Sequence, residues 1–216
     1  MRYTGPKQTS IFEIALVVAI SAGWFILGSI NAVLTGFPNP SISNRDAVGI
    51  VVLECVAFVV AASVLWSRGW RSADFRPRIT WWFSFVGVAL FGVALVIDLP
   101  FLMVADATIG GKAFVLEFGN SIFLSLPVAL LLSVVNGAFE EFFLARYLVD
   151  ALAHYGAAIA LGCSALIRVT YHLYQGPLGV VSVLLFGVVV TSFYWWYRQV
   201  WPVMVAHMLA DFVAVV

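Results

Sequence analysis

The chain has 216 residues, of which 63% are hydrophobic and only 10% are charged, and its mean hydropathy is +1.04. Eleven basic and eleven acidic side chains give a formal net charge of zero, so nothing in the composition favours a nucleic-acid or polyanionic partner. Such a composition is typical of an integral membrane protein and leaves no room for a separate soluble domain.

Seven apolar runs follow one another along the chain, and we interpret each as a transmembrane helix of about 20 residues. They lie at residues 12–36, 47–66, 81–104, 121–148, 156–174, 178–197 and 200–216. Arg2 and Lys7 precede the first run as in a signal peptide, but the run is long and contains Glu13, so we interpret it as a retained span. The sequence therefore predicts one all-α, polytopic membrane domain over residues 1–216, with about seven transmembrane helices.

The loop after the second run indicates how the protein is oriented. The segment SRGWRSADFRPR, residues 67–78, holds four arginines against one acid, Asp74. Because cytoplasmic loops carry an excess of arginine and lysine, we expect this loop and the N-terminus on the cytoplasmic side. The loops at 38–46 and 105–117 carry few basic residues and are expected on the outer side.

Ionisable residues inside the apolar runs are the best guide to function, since each costs at least about 2.5–3.5 kcal/mol at the centre of a membrane helix. Those that we expect to remain in the hydrocarbon are Glu54, Asp98, Glu140, Glu141, Arg168, His172, His207 and Asp211. We leave Glu54 and Asp98 out of the predicted site, because a lone acid near a span end or beside a proline more often pairs structurally or reaches the interface. The remaining six lie in the C-terminal part of the chain.

Helix geometry predicts that three of these residues share one depth in the membrane. The fourth and fifth predicted helices are joined by a tight turn at 154–156. Glu140 lies about 15 residues before this turn and His172 about 16 residues after it. At 1.5 Å per residue, the two residues therefore lie at nearly the same depth. His207 lies near the start of the last helix and joins the same layer.

Two further residues share a helix face with the histidines. Asp211 is four residues from His207, and Arg168 is four residues from His172. A glutamate and a histidine that converge can bind and deprotonate a water molecule, and a second histidine can stabilise an oxyanion. The residues thus predict a hydrolytic site.

The same residues resemble the CPBP family of intramembrane endopeptidases, which includes CAAX prenyl proteases and bacteriocin-processing or immunity proteins. The family signature has paired glutamates with an arginine four residues after the second, then F-x-x-x-H, then H-x-x-x-N or H-x-x-x-D. Residues 140–146, 168–172 and 207–211 match it in order. The resemblance implies a catalytic core at 121–216 behind variable N-terminal spans at 1–120.

The resemblance also implies a role for each matched residue. Glu140 is expected to be the general base, helped by His172, while His207 and Asp211 stabilise the oxyanion. Glu141 is expected to orient the site, since neighbouring residues on a helix point about 100° apart and cannot both address one water. No metal or cofactor is implied; the partners are a peptide or membrane-protein substrate and the lipid bilayer of the cell inner (plasma) membrane.

The chain departs from the family signature at the arginine. Ala145 stands four residues after Glu141, and Arg146 follows one place later, about 140° around an α-helix from Glu141. Arg146 is most simply an i,i+4 partner of Asp150. Arg168 occupies the usual phenylalanine position, and we hypothesise that it supplies the missing cation to Glu141. Asp211, which cannot donate when ionised, is expected to hold the tautomer of His207.

Several other interpretations remain open from the sequence. The polar residues can be a structural cluster that only holds helices together, formed by Glu140, Glu141, His172 and His207. Glu140, His172 and His207 can also be ligands of a zinc ion in a zinc-dependent protease. The shifted arginine favours a third alternative, an inactive scaffold, immunity factor or regulator with a degenerate site. A proton-coupled transporter is a weaker option, since the halves of the chain show no repeat.

Overall fold

The structure, a computed structural model, describes residues 9–37, 42–109 and 124–215. Every regular element in these three ranges is helical. The α-helices are α1 (Ile11–Leu34), α2 (Asn44–Ser67), α3 (Ser72–Phe75), α4 (Trp81–Ile109), α5 (Leu126–Glu141), α6 (Val149–Leu152), α7 (Ala157–Tyr171), α8 (Gly176–Tyr197) and α9 (Val200–Val215). A π-helical segment, Phe142–Leu148, connects α5 to α6, and short 3-10 turns at Ala153–Tyr155 and Leu173–Gln175 precede α7 and α8.

The helices confirm the prediction of an all-α, polytopic membrane protein. Five stretches within the described residues are long and apolar enough to cross a membrane: Ile11–Leu34, Asn44–Ser67, Trp81–Thr108, Leu126–Tyr155 and Leu173–Tyr197. The two remaining apolar runs form α7 and α9, which have only 15 and 16 residues. Both are shorter than the predicted spans and shorter than the about 20 residues that an upright span needs.

Parts of the predicted topology lie outside the described residues. These are Arg2 and Lys7 before the first helix, and residues 38–41 and 110–117 of the loops expected on the outer side. The arginine-rich loop is described and contains the short helix α3.

Local sequence signals explain where several helices begin. Ser43 accepts a hydrogen bond at Oγ from the Asp46 backbone nitrogen at 3.3 Å, and the Asp46 carboxylate accepts one from the Ser43 backbone nitrogen at 3.0 Å, which makes a capping box before α2. A proline, Pro127, stands in the first turn of α5, where its missing N–H is not needed. Gly156 has a φ of +95°, which permits the tight turn predicted before α7.

The stretch from Leu126 to Tyr155 lies at the centre of the bundle. In its most apolar window 56% of the residues are buried, against 17–28% in the other four candidate spans. α9 packs against α5 and α4, α2 packs against α5, and α7 packs against α1 and α8. Trp24, Val96 and Met103 are among the large apolar side chains exposed on the outer surface, as expected for a protein that contacts lipid.

The central helix widens directly after the paired glutamates. Residues Phe142–Leu148 are π-helical, so their backbone hydrogen bonds join residues five apart instead of four. The Ser164 hydroxyl in α7 donates to the Leu144 carbonyl at 3.0 Å and ties this segment to its neighbour. π-helical turns are rare and occur frequently at functional sites, which directs attention to the residues around it.

Candidate active site

Arg168 lies at the centre of a buried polar cluster formed by α5, α7 and α9. Its side chain is 1% exposed; Nη2 donates to Glu141 Oε1 at 2.7 Å, and Nη1 lies 3.6 Å from Glu140 Oε2. The contact between Arg168 and Glu141 that we hypothesised from the sequence is therefore present. Because a guanidinium carries five N–H donors in a rigid fork, one arginine can serve both carboxylates.

Helix α8 provides the space that Arg168 occupies. A Cβ atom at Gly187 would lie 2.8 Å from Cδ of Arg168, so only a glycine leaves room for the side chain at this position. The ring of Phe186 lies beside the guanidinium, with 5.9 Å between Cζ and the ring centroid. The arginine is thus held by packing as well as by charge.

His207, near the middle of α9, contacts the same glutamates. Its Nδ1 lies 2.6 Å from Glu141 Oε1, and its Nε2 lies 3.6 Å from Glu140 Oε2 and 3.4 Å from Asp211 Oδ1. The imidazole and the guanidinium therefore lie on the same side of α5. The predicted layer of Glu140 and His207 is present in the structure.

A close approach of α5 and α9 makes these contacts possible. A Cβ atom at Gly137 would lie 2.8 Å from the backbone nitrogen of Met208. Any larger residue at 137 requires the two backbones to separate. Met208 follows His207 directly, so this glycine sets the distance between His207 and the glutamates one turn away.

The two glutamates share neighbours, which the sequence analysis did not anticipate. Both contact Arg168 and His207, because two long side chains that leave the helix about 100° apart can still converge on groups lying between them. The two glutamates differ in their access to the cleft and not in the direction of their side chains. Glu141 is fully buried, whereas Glu140 lines a cleft.

The cleft lies between α1, α2 and the central helix. It is lined by Ser21, Ala22, Phe25, Glu54, Asn136, Phe139, Glu140, Phe143, Leu144 and Tyr171. Most of its wall is aromatic or aliphatic, with a few polar groups. A mainly apolar cleft with a few polar groups is the usual form of a binding site.

Tyr171 is the direct hydrogen-bond partner of Glu140 in the cleft. Its hydroxyl donates to Glu140 Oε2, and its backbone carbonyl accepts a hydrogen bond from the Ser29 hydroxyl in α1. The sequence analysis did not include Tyr171 in the site. Tyr171 is one of two tyrosines that flank His172, and this position was its only signal in the sequence.

His172 does not contact Glu140 as the sequence analysis expected. α7 ends at Tyr171, and His172 is its C-cap, with φ −101° and ψ 6°, so the helical phase used in the prediction no longer applies. Its Nδ1 lies 2.9 Å from the Arg168 carbonyl oxygen. Since a carbonyl only accepts, this Nδ1 carries a hydrogen, and the neutral ring then has its lone pair on Nε2.

Asp211 is shared between His207 and a residue that we did not predict. Its Oδ2 accepts a hydrogen bond from Asn136 Nδ2 at 2.9 Å, and its Oδ1 lies 3.4 Å from Nε2 of His207. Glu141, at 2.6 Å, makes the closer contact with that imidazole. The tautomer-holding contact expected of Asp211 is thus made by Glu141. Asn136, one turn before Glu140, could have been found from its i,i+4 spacing.

Arg146 belongs to a second polar cluster, away from the glutamates. It pairs with Asp150 at 3.4 Å, as predicted, and it donates to the Tyr194 hydroxyl at 2.8 Å and to the Asp74 carbonyl. Arg198 also pairs with Asp150, at 2.8 Å. This cluster ties α3, α6 and α8 together near the turn that precedes α7.

The zinc alternative depends on a ligand set that the side chains do not form. Within the described residues, no group of three or more histidine, cysteine, aspartate or glutamate side chains is arranged to hold a metal ion. Two members of the hypothesised set, Glu140 and His207, lie together, but the third, His172, bonds to the backbone of its own helix.

The structure is that of a multi-pass membrane protein with buried carboxylates, imidazoles and an arginine in the interior of its helical bundle. The family model for type II CAAX prenyl endopeptidase Rce1-like proteins matches residues 122–213. This region contains all six predicted site residues, and its match to the family model confirms the resemblance seen in the sequence. No curated protein and no solved structure matches the chain.

Proposed function

We propose that the protein is an intramembrane endopeptidase that hydrolyses peptide bonds with a water molecule activated by Glu140. One observation carries the proposal: Glu140 is buried within the bundle, contacts Arg168 and His207, and lines a mainly apolar cleft. The family match at residues 122–213 supports the same class of reaction.

In the first step, the Glu140 carboxylate takes a proton from a water molecule in the cleft. The water oxygen bonds to the carbonyl carbon of the peptide, and the electron pair of the C=O bond moves to oxygen. In the second step, that pair re-forms the C=O bond, the C–N bond breaks, and the departing nitrogen takes the proton from Glu140. The products are a free carboxyl group and a free amine.

His207 is the proposed donor to the oxyanion. Because Nδ1 donates to Glu141, Nε2 also carries a hydrogen only in the imidazolium form, and the proposal takes His207 in that form. Its Nε2 lies 3.4 Å from Asp211 and 3.6 Å from Glu140, distances too long for strong hydrogen bonds, so the Nε2 hydrogen is available to a third group between them. A preorganised donor of this kind stabilises the charge that develops in the transition state. Asp211 then acts through His207, and His172 presents the lone pair of Nε2 to water.

Glu141 and Arg168 are proposed to orient the site. The Arg168 fork fixes Glu141 at 2.7 Å, and Glu141 fixes Nδ1 of His207 at 2.6 Å. These three side chains are almost completely excluded from solvent. A chain of buried, charge-assisted contacts of this kind holds the imidazole in one position.

Glu140→Gln is the direct test of catalysis, because it removes the base and keeps the shape of the side chain. We expect cleavage to fall by about 10²–10⁴-fold, the usual contribution of a general base. N-terminal mapping of membrane proteins from cells with and without the variant identifies the products that vanish. Asp98→Asn, the same change in α4 outside the site, should leave them unchanged.

A chelator distinguishes a zinc-dependent protease from the metal-free mechanism proposed above. The purified protein in liposomes should cleave the mapped substrate equally well with and without EDTA. Activity that EDTA removes and added zinc restores would favour the metal-dependent version.

A second candidate function is supported by Ala145, which replaces the family arginine. An inactive scaffold, immunity factor or regulator tolerates that loss, whereas a protease needs another cation, here Arg168. Glu140→Ala distinguishes the two: a scaffold keeps its cellular phenotype at normal protein level, and a protease loses it.

We further propose that the protein lies in the cell inner (plasma) membrane with its N-terminus in the cytoplasm. The arginine-rich loop at 67–78 supports this orientation. Its substrates would be peptides or membrane proteins that reach the cleft from the bilayer.

A further inference from the structure

Glu54 is a buried acid that the mechanism above does not use. It lies near the middle of α2, is 1% exposed, and its Oε2 has no hydrogen-bond partner within the described residues. No ion pair joins it to any described side chain. An ionisable group inside a membrane helix is expensive, and its presence there points to a function.

Glu54 lines the same cleft as Glu140. The two carboxyl groups come from different helices, α2 and α5, which pack against each other. Glu54 is also close enough to Glu140, Asp211 and His207 to interact with them electrostatically. It is therefore part of the cleft wall and not an isolated surface residue.

The cleft contains more acids than cations. Its surroundings provide Glu54, Glu140, Glu141 and Asp211 as acids, and Arg168 and His207 as the cationic or basic partners. Both partners contact Glu140, Glu141 or Asp211. Within the described residues, no cationic side chain pairs with Glu54.

The rest of the cleft wall suits a positively charged side chain. Three phenylalanines, Phe25, Phe139 and Phe143, line the cleft with Glu54, and the rings of Phe139 and Phe143 pack edge to face at 5.0 Å. Aromatic faces attract ammonium and guanidinium groups, most strongly where water is excluded. The aliphatic stem of lysine or arginine packs on the same rings.

We propose that the cleft binds a lysine or arginine side chain of the substrate, with the cationic group paired to Glu54 and the stem packed on the phenylalanines. The inference rests on the proposed function, since it takes the occupant to be a peptide substrate. Glu54 is then a specificity-determining residue. Its cation partner fixes one substrate residue at a constant distance from Glu140, and hence from the bond that is cut.

The test measures binding without cleavage. The Glu140→Gln protein in liposomes is titrated with fluorescent leucine-rich peptides of about 20 residues, each carrying one lysine at a different position. Matched peptides carry norleucine, which has a similar stem and no charge. We expect at least one lysine peptide to bind about tenfold more tightly than its norleucine counterpart, because a buried charge pair of this kind provides that much discrimination.

Three further variants in the same background locate the preference. Glu54→Gln should reduce the lysine preference to about twofold or less, and Glu54→Asp, which keeps the charge, should retain part of it. Asp98→Asn removes a different acid from a membrane helix and should retain all of it. Circular dichroism and gel filtration in detergent check that each variant is folded.

Equal binding of every lysine and norleucine pair by protein that contains Glu54 overturns the inference, even if Glu54→Gln does not fold. A preference that survives in folded Glu54→Gln also overturns it. The proposed function fails separately: a wild-type protein that prefers lysine peptides but never cleaves them binds as inferred and is not a protease. A protein that cleaves both peptide series equally is a protease without this specificity.

Discussion

At the scale of single residues, Glu140 and Glu141 differ mainly in what can reach them. Glu141 is enclosed by Arg168 and His207, and Glu140 lines the cleft beside Tyr171. A water molecule in the cleft can contact only the first of the paired glutamates. The assignment of base and orienting residue thus follows from access, since both carboxylates have the same charged neighbours.

Arg168 should be needed for stability as well as activity. Arg168→Ala leaves Glu141 buried without its cation, which costs about 3–5 kcal/mol when a buried pair is broken. Arg168→Lys keeps the charge but loses the fork that reaches both glutamates, so we expect an intermediate loss of stability and a strong loss of cleavage. Thermal unfolding in detergent and cleavage of the mapped substrate measure the two effects. An Arg168→Ala protein that folds and cleaves normally contradicts this role.

Tyr171→Phe removes the hydroxyl that donates to Glu140 and keeps the ring. A hydrogen bond to a charged group contributes about 1.5–3 kcal/mol, so we expect cleavage to fall by roughly 10–100-fold when this bond is lost. Steady-state kinetics on the mapped substrate separate kcat from KM. Tyr155→Phe, at an exposed turn, is the matched control and should change neither constant.

The charged residues of this candidate site could be selected from the sequence because charged residues are rare inside membrane helices. Arg168 was assigned to Glu141 because the usual arginine was missing at Ala145. Tyr171 and not His172 contacts Glu140, since periodicity does not locate the end of α7. Glu54 was left out because a lone acid in sequence gives no sign of which cleft it lines.

At the scale of helices, glycines determine how closely the elements of the site approach. Gly137 allows α9 to lie against α5, and Gly187 opens α8 for the side chain of Arg168. The positions of the long helices were readable from the apolar runs, but α7 and α9 are shorter than the predicted spans. The close approaches were not, because a glycine at a helix contact and one facing lipid look alike in a single sequence.

Gly137→Ala should therefore harm the protein more than other glycine substitutions. Its Cβ would meet the Met208 backbone at 2.8 Å, and overpacking of this kind costs about 1–3 kcal/mol. Cleavage should also fall, since His207 moves with Met208. Gly28→Ala in α1, where a Cβ meets nothing within 4 Å, provides the comparison in thermal unfolding and cleavage assays. Equal melting temperatures for the two variants would argue against the close approach.

At the scale of the whole molecule, the distribution of arginine predicts orientation. Arg76→Cys lies in the arginine-rich loop, and Arg45→Cys lies at the opposite end of α2; both positions are exposed. In a background without Cys55 and Cys163, we expect a membrane-impermeant thiol reagent to label position 45 from outside intact cells. Position 76 should react only after the membrane is opened. The reverse pattern places the N-terminus outside.

The π-helical segment gives the displaced arginine a different meaning. A turn closed between residues five apart contains one residue more than an α-helical turn, which is how a helix accommodates a single inserted residue without breaking. In these terms, one residue inserted between Glu141 and Arg146 would account for the position of the arginine, and the wide turn at Phe142–Leu148 has the form that such an insertion takes. Arg146 pairs with Asp150 and donates to Tyr194. Glu141 is paired instead with Arg168 from the neighbouring helix. Removing one residue from this turn is thus the change that would return Arg146 to the family spacing.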